Sequence, residues 1–127
     1  VIGLSYGGMY ALHFGALDPR IRCTYSSCWF SDRRKHNWHD WTYFNAERTF
    51  FDAEVASLVL PRKLYIEVAI DDEVFPAVDA KKERKRLEKY AKDKGLCSHL
   101  HYKEFEGKHE LDTDEKLIQE FVKEVIS

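Results

Sequence analysis

The run Gly3-Leu4-Ser5-Tyr6-Gly7 constrains this chain more than any other feature, because of what lies on either side of it. Apolar Val1 to Leu4 reads as a strand, and Met9, Ala11, Leu12, Phe14, Ala16 and Leu17 follow at helical density. A G-x-S-x-G between a strand and a helix places Ser5 on a sharp, strained turn, and the glycines two residues away on each side are expected to be there for steric reasons. Ser5 is then thrust clear of the sheet. The helix that begins at the turn aims its first N–H groups at it, so the Tyr6 backbone N–H is the expected donor to a developing oxyanion.

The rest of the chain alternates. Asp18-Pro19 ends the first helix, and Ile21 to Ser26 reads as a short strand, completing a βαβ unit that implies a parallel sheet. Periodicity fails over residues 28–57, an excursion over the sheet that holds Trp29, Phe30, Trp38, Trp41, Tyr43, Phe44, Phe50 and Phe51. These aromatics form either a lid or acyl pocket over Ser5 or the packing of an insertion, and packing is favoured for most of them. Leu64 to Ile70 reads as a buried strand ending in Asp71-Asp72-Glu73, and Pro76 opens a helix that runs to Lys94-Gly95. Leu96 to Phe105 alternates like a strand near a sheet edge. Capping-box spacing at Asp112 to Glu115 announces a last helix with Leu117, Ile118, Phe121, Val122 and Val125 on one face. The fold class is α/β: a mostly parallel sheet flanked by helices, half of a doubly wound architecture.

A serine hydroxyl is a poor nucleophile until a base takes its proton, so a histidine and an acid are expected in the order Ser, acid, His. Asp72 lies directly beyond a buried strand and His109 directly beyond the last one, after Gly107, so all three fall at the C-terminal edge of the sheet, where such sheets bind ligands. Asp71 is the alternative acid, with Asp72 then capping the Pro76 helix. Glu110 and Asp112 are further acids near His109, read as solvated or capping. Among the six histidines, His13, His36 and His39 read as surface or boundary residues, and the H-x-x-H at His36 and His39 lacks a third ligand. No metal or organic cofactor is expected.

Composition excludes several other functions. A net charge of −2 provides no field for a polyanion, so nucleic acid is not the expected partner. The basic stretch Lys81 to Lys89 carries Glu83 and Glu88 and reads as a solvated helix face, with Glu88 and Lys92 spaced as a favourable i, i+4 pair. Cys23, Cys28 and Cys97 are an odd number without C-x-x-C spacing and read as buried thiols rather than disulfides, zinc ligands or nucleophiles. No apolar run approaches the roughly 18 residues that span a bilayer. The opening Val1-Ile2-Gly3-Leu4 reads as a chain cut inside a strand, which leaves localisation open, with the cytoplasm slightly favoured.

These residues resemble the α/β-hydrolase superfamily of serine hydrolases, in particular its dienelactone-hydrolase and acetyl-xylan-esterase-like branch. The resemblance rests on the elbow Gly-Leu-Ser-Tyr-Gly-Gly at residues 3–8, on Leu-Asp-Pro-Arg-Ile-Arg at 17–22, on Leu-Pro-Arg-Lys-Leu-Tyr-Ile at 60–66 and on Gly107-Lys108-His109-Glu110. The acid motif, commonly G-x-x-D-x-x-x-P, stands here as Ala69 to Pro76, with alanine for the glycine, and its register selects Asp72 over Asp71. The resemblance implies the C-terminal part of an α/β-hydrolase fold: a serine esterase acting on a small-molecule ester through Ser5, Asp72 and His109. It further implies strands and a second oxyanion donor before Val1, a first strand exposed in this chain, and no activity from this fragment alone. A prolyl-oligopeptidase-like peptidase, which shares Ser-Tyr-Gly-Gly, and a non-catalytic hydrolase-like interaction domain are the alternatives.

Overall fold

The computed structural model describes residues 1–36 and 45–127. Trp38, His39, Trp41, Tyr43 and Phe44 of the aromatic excursion lie outside the described residues. In chain order the elements are β1 (Ile2–Leu4), α1 (Tyr6–Leu17), β2 (Cys23–Ser27), a 3-10 turn (Arg33–Lys35), α2 (Ala46–Thr49), α3 (Asp52–Ser57), β3 (Lys63–Ala69), α4 (Ala77–Asp93), a second 3-10 turn (Cys97–His99), β4 (Leu100–Phe105) and α5 (Lys116–Ile126).

The four strands form one parallel sheet in the order β1-β2-β3-β4. In a parallel sheet every strand ends at the same edge, so the residues after β1, β2, β3 and β4 converge there. Alternation along β3 divides the core. Leu64, Ile66 and Val68 face α1, α3 and α4 in the main cluster, with Leu12, Trp29, Phe30, Val59, Phe75 and Leu87. Tyr65 faces the other way, where Cys23 and Tyr25 of β2 meet Leu117 and Phe121 of α5. Trp29 and Phe30, two of the excursion aromatics, are thus core residues, and truncating either would cost about 3–5 kcal/mol. The β1 edge leaves Val1, Ile2 and Leu4 exposed, as expected.

Several local expectations are corrected. The last helix begins not at the Asp112 signal but at Lys116, with Glu115 at its N-cap in a left-handed conformation, φ 56°. Asp112 is drawn inward instead, where it pairs with Lys103 and accepts the Asp114 N–H at 3.0 Å. Only Leu117 and Phe121 of the α5 apolar face are buried, while Val122 and Val125 stay exposed. Glu83 is fully buried rather than solvated, because α4 packs on the start of α3 and the orphan N–H of Ala53 needs an acceptor. Burial pushes its carboxyl above the usual 4.5. Arg84–Glu88 and Lys89–Asp93 are the i, i+4 pairs of α4, not Glu88 with Lys92. Cys23 and Cys28 are buried, but Cys97 is exposed, because Cys97 to His99 form a surface turn ahead of the strand.

Candidate active site

Ser5 stands between β1 and α1 with φ 58° and ψ −120°, a conformation that L side chains rarely adopt and that costs on the order of 1–3 kcal/mol. Two backbone hydrogen bonds hold it there: Ser5 N–H donates to the Ser27 carbonyl at 2.9 Å, and the Ser5 carbonyl accepts Met9 N–H at 3.0 Å. The strain requires Gly3, since a Cβ there would lie 1.9 Å from the Gly7 carbonyl oxygen. It does not require Gly7 in the same way, because a Cβ on Gly7 would meet nothing within 4 Å. The expectation that both glycines are needed sterically is therefore corrected to one. Ser5 caps the helix without a side-chain hydrogen bond, which leaves its hydroxyl available, and Tyr6 occupies the first helical position.

Asp72 follows β3 in the turn to α4 and is fully buried at its side chain. Its Oδ1 accepts Val74 N–H at 2.7 Å and Phe75 N–H at 3.0 Å, so it does cap that turn. It also binds His109, whose Nδ1 lies 3.0 Å from Oδ1 and 2.9 Å from Oδ2. Burial opposes the charged carboxylate, but the hydrogen bonds from His109 and from the Phe75 and Val74 N–H groups outweigh it, and Asp72 sits below the usual 3.8. Asp71, the alternative acid, is exposed, and its N–H donates to the Gly107 carbonyl at 3.0 Å. The two acidic neighbours therefore divide the work: the side chain of Asp72 orients the imidazole while the backbone of Asp71 anchors the loop beneath it. Glu110 is exposed, and its carboxyl accepts the Lys108 N–H at 3.4 Å.

His109 lies in the loop between β4 and α5, with its side chain 29% exposed and its ring 6.2 Å from that of Phe75. The structure thus brings Asp72 and His109 into contact. It sets Ser5 at the end of β1, on the same edge of the sheet, and no hydrogen bond joins Ser5 to His109 among the described residues. With Nδ1 committed to Asp72, Nε2 is the nitrogen left for a reacting group.

Cys28 was not foreseen at this edge. It directly follows β2, the one strand end not assigned chemistry from the sequence, and among the described residues Cys28, Asp72 and His109 are the group whose donor atoms, all within 4.8 Å of one another, could meet at a metal. Burial pushes the Cys28 thiol up to about 12, and the thiol donates to the Glu110 carbonyl at 3.2 Å. Glu67 was also missed as a polar group. A single charged residue inside the apolar run Leu64 to Ile70 was the available signal.

No family model and no curated protein sequence matches the chain. Among solved structures it is similar to a glucuronoyl esterase of carbohydrate esterase family 15 from Caldicellulosiruptor kristjansonii, with a TM-score of 0.73 and 17% identity over 91% of this chain and 39% of that one. It is also similar to a glucuronoyl esterase from Solibacter usitatus, with a TM-score of 0.72 and 19% identity over 96% of this chain and 41% of that one. The chain therefore spans about two fifths of the length of the esterases it matches. Its four-stranded parallel sheet with flanking helices is the fold of part of an α/β-hydrolase, as the sequence resemblance implied.

Proposed function

We propose that this chain carries the nucleophile, base and acid of a serine hydrolase that cleaves carboxylic esters. The observation that carries the reading is the paired hydrogen bond that His109 Nδ1 donates to a buried Asp72, at the same sheet edge as a serine in a strained turn. In the first step the Ser5 hydroxyl proton passes to His109 Nε2 as Oγ bonds to the ester carbonyl carbon. The oxyanion that forms accepts the Tyr6 N–H. The carbon–oxygen bond to the leaving alcohol then breaks, and His109 returns the proton to that oxygen. Water repeats the sequence on the acyl-enzyme and frees the acid and Ser5. Asp72 holds the imidazole in the required tautomer and stabilises its charged form without itself being protonated. The absence of a Ser5–His109 hydrogen bond is compatible with this role, since catalytic contacts often tighten only when substrate is bound.

The structural neighbours are named for action on glucuronoyl esters, which makes esters of sugar acids the first substrates to test. The experiment is intact-mass detection of a fluorophosphonate adduct on the longest chain that carries these residues, with Ser5→Ala as control. One adduct that disappears in Ser5→Ala supports an activated serine. No adduct on a demonstrably folded chain overturns the reading in favour of a non-catalytic domain.

A further inference from the structure

Glu67 is the one acidic residue within β3, and it is 1% exposed. It lies on the α5 side of the sheet, in register with Ser27 of β2. Its Oε2 accepts the Tyr25 hydroxyl at 2.5 Å, and its Oε1 accepts the Ser27 hydroxyl at 2.6 Å and the Asp112 N–H at 3.2 Å. A carboxyl group suits the place because it offers two acceptor oxygens to three donors that would otherwise be buried without partners.

The identity of those donors links Glu67 to the site. Ser27 is the residue whose carbonyl holds the Ser5 N–H at 2.9 Å. Asp112 is three residues beyond His109 in the same loop, and upstream the loop is fastened by the Asp71 N–H on the Gly107 carbonyl at 3.0 Å. His109 is therefore bracketed by one tie to the acid's turn and one tie to Glu67. We infer that Glu67 is a positioning residue that joins the serine turn, through Ser27, to the histidine loop, through Asp112. The inference rests on the serine-hydrolase reading for its consequence in catalysis, although the link itself is a matter of His109 placement. It also explains why an acidic side chain stands inside the buried part of β3.

The test compares Glu67→Leu, which removes every acceptor, with Glu67→Gln, which keeps one oxygen for Ser27 and Asp112 and an amide that the Tyr25 hydroxyl can accept. Leu117→Ala destabilises the same face of the sheet without touching the link. Each is measured for fluorophosphonate labelling rate across pH, for folded fraction, and by proton NMR for the low-field His109 Nδ1 resonance, assigned by its loss in His109→Gln. Folded Glu67→Leu is expected to label at least about tenfold more slowly, on the scale of a misplaced catalytic group. Its pH profile should be altered and its His109 resonance displaced. Glu67→Gln and Leu117→Ala should stay within about threefold of wild type on that scale, with the resonance in place. Wild-type labelling and an unmoved resonance in folded Glu67→Leu would overturn the proposal, as would equal slowing in Leu117→Ala. If Glu67→Leu does not fold, Ser27→Ala replaces it, with a severalfold loss expected and a wild-type rate overturning the idea. If the longest demonstrably folded wild-type chain shows no Ser5 adduct, the hydrolase reading fails on its own, and the resonance decides the positioning role: displaced in Glu67→Leu upholds it, unmoved overturns it.

Discussion

One oxygen of Asp72 serves two structures at once: Oδ1 lies 3.0 Å from His109 Nδ1 and also accepts the N–H groups of Val74 and Phe75, at 2.7 and 3.0 Å. The acid that orients the imidazole is therefore the group that shapes the turn into α4. Asp72→Asn can keep the turn, since an amide oxygen still accepts both N–H groups, but its nitrogen opposes the required histidine tautomer. Labelling of Ser5 should fall by about 10⁴-fold while the melting transition changes little. Asp72→Ala should lose the turn as well, at a further cost of about 1–3 kcal/mol for each buried N–H left without an acceptor. Labelling rates beside thermal melts separate the two effects.

Two of the buried carboxyls make stability depend on pH with opposite sign. Asp72 has a folded pKa below its ordinary 3.8, so its contribution is present above that value and is lost as pH falls through the depressed one. Glu83 has a folded pKa above its ordinary 4.5, so its contribution is present below that value and is lost as pH rises through the raised one. Urea midpoints taken as a series of pH should show a shallower acid loss in Asp72→Asn and a flatter profile above pH 4.5 in Glu83→Gln. An unchanged acid limb in Asp72→Asn would contradict the assignment.

The two glycines of the Ser5 turn should behave differently despite their symmetry in the motif. Gly3→Ala drives a Cβ to within 1.9 Å of backbone at Gly7 and should cost at least about 1–3 kcal/mol along with loss of Ser5 labelling. Gly7→Ala finds open space in the first turn of α1 and should raise stability by up to about 1 kcal/mol through helix propensity. Chemical denaturation of both variants checks the sign.

The thiols divide by burial. Cys97 is exposed, whereas Cys23 and Cys28 are buried, and burial pushes both of their thiols up. Brief iodoacetamide treatment of native chain should add one carbamidomethyl group, at Cys97, and treatment in denaturant should add three, read by intact mass. Early modification of Cys28 would mean that the site edge opens far more than its packing implies.

Sequence alone determined the alternation of strands and helices, because apolar spacing, Asp18-Pro19, Pro76 and Gly95 are local signals that act through local backbone preference. It also put Ser5, Asp72 and His109 at strand ends, and a parallel sheet then brings strand ends to one edge. Local signals did not settle which elements would close around polar groups. Asp112 and Glu115 spell a helix cap, yet Asp112 turns inward because Glu67 and Lys103 are there to receive it, and the helix starts at Lys116. Glu83 reads as a surface residue on a charged helix and is buried because α3 offers it an N–H. Asp71 and Asp72 are told apart in sequence only by the register of a resemblance, and the hydrogen bonds to His109 fall to Asp72 in the structure. Each of these was decided by a partner distant in sequence, since burying a polar group is favourable only where another element supplies the hydrogen bond it would otherwise lose.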